Sequence, residues 1–373
     1  MKRKKIAILS SSRADYGIYL PLINYLENQG WLELHRIIFG THLLDDMKSF
    51  LKQIEEDSLG NIHRVGKFKK TNTSQEVVKA YSDVVGYFSS FWEFNSYDCI
   101  IALGDRFEMS AAIQSTIPFH IPIAHLHGGE SSLGAIDDIF RHQITLASQL
   151  HFTSTETYRI RVAELTGTDK NIYNVGSLSL SNLNFETIKP WEKLAFQYKI
   201  PQNPFVLITI HPETDTNTDF QKELAELSIV LKDLLKRYHL VITGTNSDQN
   251  YKPIVDFFEG ICKHNPNRVT SINSLGRENY FSALYNCSLV LGNSSSGIIE
   301  AASFGKYAIN LGKRQIGRLR SKNTFTIPFK SKPILEIINT LEKKGLEYKG
   351  DNIYFKENVA ENITTRIKIF LRV

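Results

Sequence analysis

The stretch Leu289-Val290-Leu291-Gly292-Asn293-Ser294-Ser295-Ser296-Gly297-Ile298-Ile299-Glu300 decides how the rest of the chain is read. The apolar run Leu289 to Leu291 has the length and composition of a buried strand, and it breaks at Gly292. Three hydroxyls follow, and Gly297 leads into Ile298 to Phe304, which reads as a helix. A strand, a small polar turn and a helix start form a natural anion site, because free backbone N–H groups and the helix dipole favour negative charge there. Ser294, Ser295 and Ser296 add donors beside Gly297. Glu300 follows one turn on, where a carboxylate can accept hydrogen bonds from a ribose diol. The same residues also read as a serine-capped helix behind a buried strand, which needs no ligand.

Outward from this unit the same alternation fills the chain. In the first half, strands are predicted at 5–10, 34–39, 99–103, 121–125 and 151–153, with helices at 16–29, 75–91, 107–115 and 136–146. An irregular stretch from Ser179 to about Asn203 holds Pro190 and Pro201, with Pro204 just after it, and marks a domain boundary. The pattern restarts with strands at 205–210, 240–243, 268–270, 289–291 and 307–311. Helices at 220–238, 251–263, 278–286 and 298–304 separate them, and 358–371 reads as a terminal helix. The predicted organisation is α/β. A Rossmann-like domain over 1–180 is joined to a second over 181–357, and a helix at 358–373 packs back on one of them. Two such halves imply a cleft with strand carboxyl ends facing it, where ligands of open α/β sheets bind.

Composition narrows the function. The 373 residues suffice for two domains, each with its own core. Apolar content of 42% and charged content of 22% are those of a globular chain. The excess of 44 Lys+Arg over 39 Asp+Glu is too mild for nucleic acid, yet it suits an anionic small ligand. No apolar run approaches the roughly 20 residues of a membrane helix. The basic start Lys2 to Lys5 precedes only a strand-length apolar run, so it reads as a solvated terminus and not a signal peptide. Cys99, Cys262 and Cys287 lie far apart without metal spacing, which reads as reduced thiols in a cytoplasmic protein.

Nearly every unusual polar cluster follows a predicted strand. Ser10-Ser11-Ser12-Arg13-Ala14-Asp15 follows the first, and its Arg13 suits a phosphate oxygen, with Asp15 as helix cap in the alternative reading. The absence of GxGxxG there counts against a nicotinamide dinucleotide. Gly104-Asp105-Arg106 follows the 99–103 strand, and His125-Leu126-His127-Gly128-Gly129-Glu130 the next, with Asp137-Asp138 at a helix start beyond. Two histidines and a glutamate there do not complete a metal set, so no metal is expected. Asp105, Glu130 and Asp137 can instead place carboxylates on different faces of one substrate, as general acid–base chemistry requires. In the second half, His211-Pro212-Glu213-Thr214, Thr243-Gly244-Thr245-Asn246 and the cationic Gly312-Lys313-Arg314-Gln315-Ile316-Gly317-Arg318 close three strands.

Taken in order with Arg141-His142 and the serine turn, this set resembles the hydrolysing UDP-N-acetylglucosamine 2-epimerases of bacterial sialic-acid and related nonulosonic-acid pathways. The resemblance spans most of the chain. It implies a GT-B fold, two Rossmann-like domains with the nucleotide held mainly by the second. By that resemblance Ser294 and Ser295 hold the diphosphate and Glu300 the ribose, with Arg13, His211 and Arg314 at the phosphates. Asp15, Arg106, Ser296 and Gly297 join the substrate site, and Asp105 and Asp137 match positions assigned to proton transfer. Many relatives carry glutamate where this chain has His127, so the base is His127 or Glu130. The resemblance also implies a homodimer or homotetramer and no cofactor. The activator-binding Gly-Gln-His of the non-hydrolysing relatives reads Gly40-Thr41-His42 here, which points to hydrolysis. A GT-B glycosyltransferase and a non-catalytic nucleotide-sugar sensor are the competing readings.

Overall fold

The computed structural model describes residues 2–56, 60–71, 73–131, 136–181, 183, 185–213, 220–245 and 251–373. The chain divides into two compact units. The first holds Met1–Glu130, Ile136–Asn182 and Tyr354–Val373; the second holds Leu183–Ile353.

Among the described residues, unit one is built on seven parallel strands: β1 (Lys4–Ser10), β2 (Leu32–Ile38), β3 (Asn61–Arg64), β4 (Cys99–Leu103), β5 (Ile123–Leu126), β6 (Leu150–Thr153) and β7 (Ile172–Asn174). They are ordered β3-β2-β1-β4-β5-β6-β7. The helices between them are α1 (Arg13–Glu27), α2 (Lys48–Glu56), α3 (Ser74–Phe94), α4 (Phe107–Gln114), α5 (Asp137–Ala147) and α6 (Glu156–Thr166). Because successive strand residues point to opposite faces, the apolar run of β1 feeds two cores. Ile6 and Ile8 pack with Tyr19, Leu22 and Leu26 of α1. Ala7 and Leu9 pack with Phe88 and Trp92 of α3 and Met109 of α4. Each fully buried Ile or Leu contributes about 1.5–3 kcal/mol.

Unit two repeats the plan with, among the described residues, six parallel strands: β8 (Phe205–Thr209), β9 (His239–Thr243), β10 (Val269–Ile272), β11 (Leu289–Gly292), β12 (Ala308–Leu311) and β13 (Thr324–Ile327). Their order is β10-β9-β8-β11-β12-β13. Helices α7 (Trp191–Gln197), α8 (Phe220–Leu234), α9 (Lys252–His264), α10 (Gly276–Asn286), α11 (Ser296–Ile299) and α12 (Ser331–Lys344) cover it. Val206 and Ile208 meet Leu227 and Leu231 of α8 and Ile334 and Ile338 of α12, while Phe205 and Leu207 meet Leu284 of α10 on the other face. The last helix, α13 (Val359–Phe370), belongs to unit one, where Val359, Ala360, Ile363 and Ile367 are buried beside α1.

Two local readings change. Ser12, not Asp15, caps α1: its hydroxyl accepts from the Asp15 N–H. The helix expected over 298–304 is an α-helix of only four residues followed by the 3₁₀ turn Ala301–Phe304. So short a helix has little dipole to offer an anion, and donors of the turn itself must supply what the dipole does not.

Candidate functional site

In a doubly wound sheet the connections diverge where the strand order reverses, and ligands bind outside the carboxyl ends there. Unit one reverses between β1 and β4, unit two between β8 and β11. The polar clusters singled out above lie at these strand ends and their neighbours.

In unit one the organising group is Arg141 on α5, whose side chain is 2% exposed. Its guanidinium pairs closely with the Asp105 carboxylate after β4. It also donates to Asp138 Oδ1 at 2.7 Å and to the Glu130 carbonyl at 2.7 Å. A planar fork with five donors can serve three such acceptors at once. The structure thus brings Asp105, Glu130 and Asp138 together, and Asp137 opens the same helix one turn before Arg141. His125 props this arrangement from below. Its Nε2–H donates to the Gly104 carbonyl at 3.0 Å, and burial pushes its pKa down to about 3, so it is a neutral framework residue.

Beyond Arg141, Arg106 and Asp15 each find a partner close in sequence. Arg106 turns to the fully buried Glu108 at 3.0 Å. Asp15 accepts from the Ser11 hydroxyl at 2.7 Å; its pKa is raised by burial, against the lowering charge of Arg106. Arg13 is exposed at the start of α1, and its side chain makes no hydrogen bond or ion pair among the described residues. His42, in the turn after β2, contacts the Ser10 hydroxyl through Nε2 at 2.8 Å, and burial pushes its pKa down to about 4.

His127 stands in the left-handed region with φ 64. Histidine tolerates this better than most residues, but it leaves the chain turning sharply. The turn is completed by Gly129 at φ +77, where an added Cβ would lie 2.6 Å from the Tyr158 carbonyl. Nδ1 of His127 is 2.9 Å from Glu130 Oε1, and the Ser154 hydroxyl after β6 donates to the same oxygen at 2.8 Å.

In unit two, Asn293 is fully buried and crosses the reversal point. Its Nδ2 donates to the His211 carbonyl at 2.9 Å, and its Oδ1 accepts from the His211 N–H at 2.7 Å. That reciprocal pair extends the β8–β11 pairing by one side chain. Arg314 and Gln315 both donate to the Asn293 carbonyl, at 3.3 and 3.0 Å. Glu213 Oε1 accepts from the backbone N–H groups of Lys313 and Arg314 and so shapes the cationic loop. His211 has its pKa pushed down to about 3 by burial and then by the Arg314 charge. At neutral pH it is an uncharged imidazole, and the positive charge beside it comes from Arg314. Ser296 donates to Glu300 Oε2 at 2.5 Å, while Ser294 and Ser295 remain half-buried at the turn and Gly297 is buried behind it. Ser295, at the N-cap of α11, makes no side-chain capping bond, but the Ser294 hydroxyl accepts from the Ser296 N–H at 3.4 Å. Thr214 and Asn246 lie outside the described residues.

Among the described residues, no cluster of three or more His, Cys, Asp or Glu could hold a metal ion, and no helix is long and apolar enough to cross a membrane. A surface groove of about 490 Å³ runs along α8 and α9 and is lined by one carboxylate, Asp256. Its lining lacks the clustered ionisable groups of the strand ends, so it is not the chemical site. Sequence reasoning missed Glu108, Ser154 and the organising role of Arg141. Ser154 stands beside Thr155, the cap of α6, and nothing in the sequence separates one hydroxyl from the other.

Residues 24–368 match the profile of a family described as UDP-N-acetylglucosamine 2-epimerase. The chain is 35% identical over 326 residues to the GDP/UDP-N,N'-diacetylbacillosamine 2-epimerase (hydrolyzing) of Campylobacter jejuni, covering 87% of this chain and 84% of that one. It is 30% identical over 373 residues to polysialic acid biosynthesis protein P7 of Escherichia coli, with 99% and 95% covered. Among solved structures, the UDP-GlcNAc 2-epimerase of Neisseria meningitidis bound to UDP-GlcNAc superposes with a TM-score of 0.78 at 16% identity, over 99% of this chain and 100% of that one. That likeness establishes an α/β fold of GT-B type.

Proposed function

Because the chain belongs to the UDP-N-acetylglucosamine 2-epimerase family, we propose that it is a hydrolysing nucleotide-sugar 2-epimerase. The substrate in this reading is UDP-N-acetylglucosamine or a UDP-2,4-diacetamido-trideoxyhexose, and the products are UDP and the free sugar inverted at C2. The observation that carries it is the group of Asp105, His127, Glu130 and Asp138 organised by buried Arg141 at the carboxyl edge of sheet one. Transfer of a sugar to an acceptor does not call for so many proton-transfer groups around one carbon. Two relatives named as hydrolysing, at 35% and 28% identity, and the lack of glutamine in Gly40-Thr41-His42 support hydrolysis over simple epimerisation.

In this reading a base takes the C2 proton, and its C–H pair becomes the C1–C2 double bond as UDP departs with the C1–O pair. Water then adds across the 2-acetamidoglucal, OH to C1 and a proton to C2 from the other face. The C2 proton is weakly acidic, so stabilising the departing diphosphate lowers the barrier directly. Ser294, Ser295 and Arg314 take that role, with Glu300 on the ribose and neutral His211 as a polar contact at the phosphates. Asp105 and Asp137 serve proton transfer to the sugar. The family reading also makes the enzyme a cytoplasmic homo-oligomer supplying a precursor for surface polysaccharide.

Proton NMR in deuterated water on both nucleotide sugars tests this. The expected products are UDP and a free C2-inverted sugar carrying deuterium at C2, formed without an acceptor. Epimerisation with UDP still attached would move the chain to the non-hydrolysing subtype; UDP-sugar binding without C2 exchange would leave only a sensor.

A further inference from the structure

We propose that Ser154, Glu130 and His127 form one hydrogen-bonded relay in which His127 Nε2 is the base, while Glu130 and Ser154 are positioning residues. This rests on the epimerase reading and assigns roles that it leaves open. The heavy-atom geometry fixes the protons. A backbone N–H can only donate, so the Leu178 N–H, 3.4 Å from His127 Nε2, makes Nε2 an acceptor. A neutral imidazole then carries its hydrogen on Nδ1 and donates it to Glu130 Oε1 at 2.9 Å. Ser154 donates its hydroxyl hydrogen to that same oxygen at 2.8 Å.

Glu130 Oε1 therefore already receives two hydrogens, in a side chain only 3% exposed, and is poorly placed to collect a proton from substrate. The His127 side chain is 12% exposed. Its Nε2 lone pair meets only the long Leu178 contact among the described residues, the weakest link of the relay and the one a substrate C–H would replace. A carboxylate that fixes the tautomer of an imidazole and balances the imidazolium formed on proton transfer is the logic of a catalytic triad. The frame is held on both sides. Arg141 donates to the Glu130 carbonyl, and the tight turn at His127 and Gly129 fixes where the ring emerges. In the reaction, Nε2 takes the C2 proton, the C–H pair forms the C1–C2 double bond, and the C1–O pair leaves with UDP. The positive charge gained by the ring is balanced across Nδ1–H by Glu130.

The test is a double-mutant cycle on the full chain, reading kcat for UDP release, KM and deuterium entry at C2. His127→Gln should lower kcat roughly 10²–10⁴-fold. Glu130→Gln should lower it about tenfold to a hundredfold, and Ser154→Ala about fivefold, with KM little changed. In the His127→Gln background the other two substitutions should cost nothing more, since they act only through the ring. Ser154→Thr should restore most of the Ser154→Ala loss. Losses that multiply in the double variants, or a His127→Gln enzyme of near wild-type kcat, overturn the relay alone. If wild type turns over neither nucleotide sugar, the epimerase reading falls and the relay with it. Should Glu130→Gln fail to fold, the Ser154→Ala and His127→Gln cycle decides the matter by itself.

Discussion

Arg141 ties together three acceptors of unit one: Asp105, Asp138 and the Glu130 carbonyl. Replacing it with Met should remove the Arg141 charge that Asp105 and Asp138 share, costing about 3–5 kcal/mol in urea unfolding. Arg141→Lys should recover little of this, because a single ammonium cannot span three acceptors on separate elements. A Lys variant with wild-type stability and turnover would contradict that picture. The sequence marks where such residues lie, since Asp105, His127 and Glu130 all follow apolar runs, but not who partners whom. Arg141 sits mid-helix, where the pattern alone makes it an exposed polar position, yet it is fully buried, meeting one acceptor from its own first turn and two from outside α5. His211 teaches the same lesson in reverse. Its place after a strand is legible, but the burial that keeps it neutral is not.

At the scale of elements, continuous apolar runs are easy to read and polar edges are not. The inner strands β1, β4, β5, β8 and β11 all fall within a residue or two of their predicted places, apart from the later start of β5. Of the edge strands, β10 is predicted at 268–270 and lies at Val269–Ile272, whereas β3, β7 and β13 escape prediction, because an edge needs neither length nor apolar residues on both faces. The serine turn is the element on which unit two's chemistry turns. Here Gly292 adopts φ +147, and a Cβ would collide with the Thr209 carbonyl, so Gly292→Ala should cost about 1–3 kcal/mol, read as a lowered urea midpoint. Removing both hydroxyls in Ser294→Ala with Ser295→Ala should weaken UDP binding about tenfold by calorimetry while leaving the fold intact. Unchanged affinity would return the turn to a plain strand-to-helix connection.

Across the whole molecule, burial holds five histidines neutral: His42, His151 and His239 with pKa near about 4, and His125 and His211 near about 3. An unfolded histidine takes its proton near about 6.5, so between that pH and 4 the unfolded chain binds protons that the folded chain refuses. Stability should be full above about pH 7 and fall as pH drops through that window, by about 1.4 kcal/mol per unit for each histidine involved. Urea unfolding at pH 7.5, 6.5 and 5.5 checks this; a flat profile would mean that these rings are more hydrated than the structure has them. The order of the chain through the two units has a consequence in time. Unit one loses Val359, Ile363 and Ile367 from its core until α13 has been made, so the segment synthesised first is the last to be finished. Leu183–Ile353 must be translated in between, roughly 10–35 s at typical rates of synthesis. During that interval the nascent first sheet exposes an apolar face to chaperones, proteases and neighbouring chains, whereas the middle of the protein can mature at once.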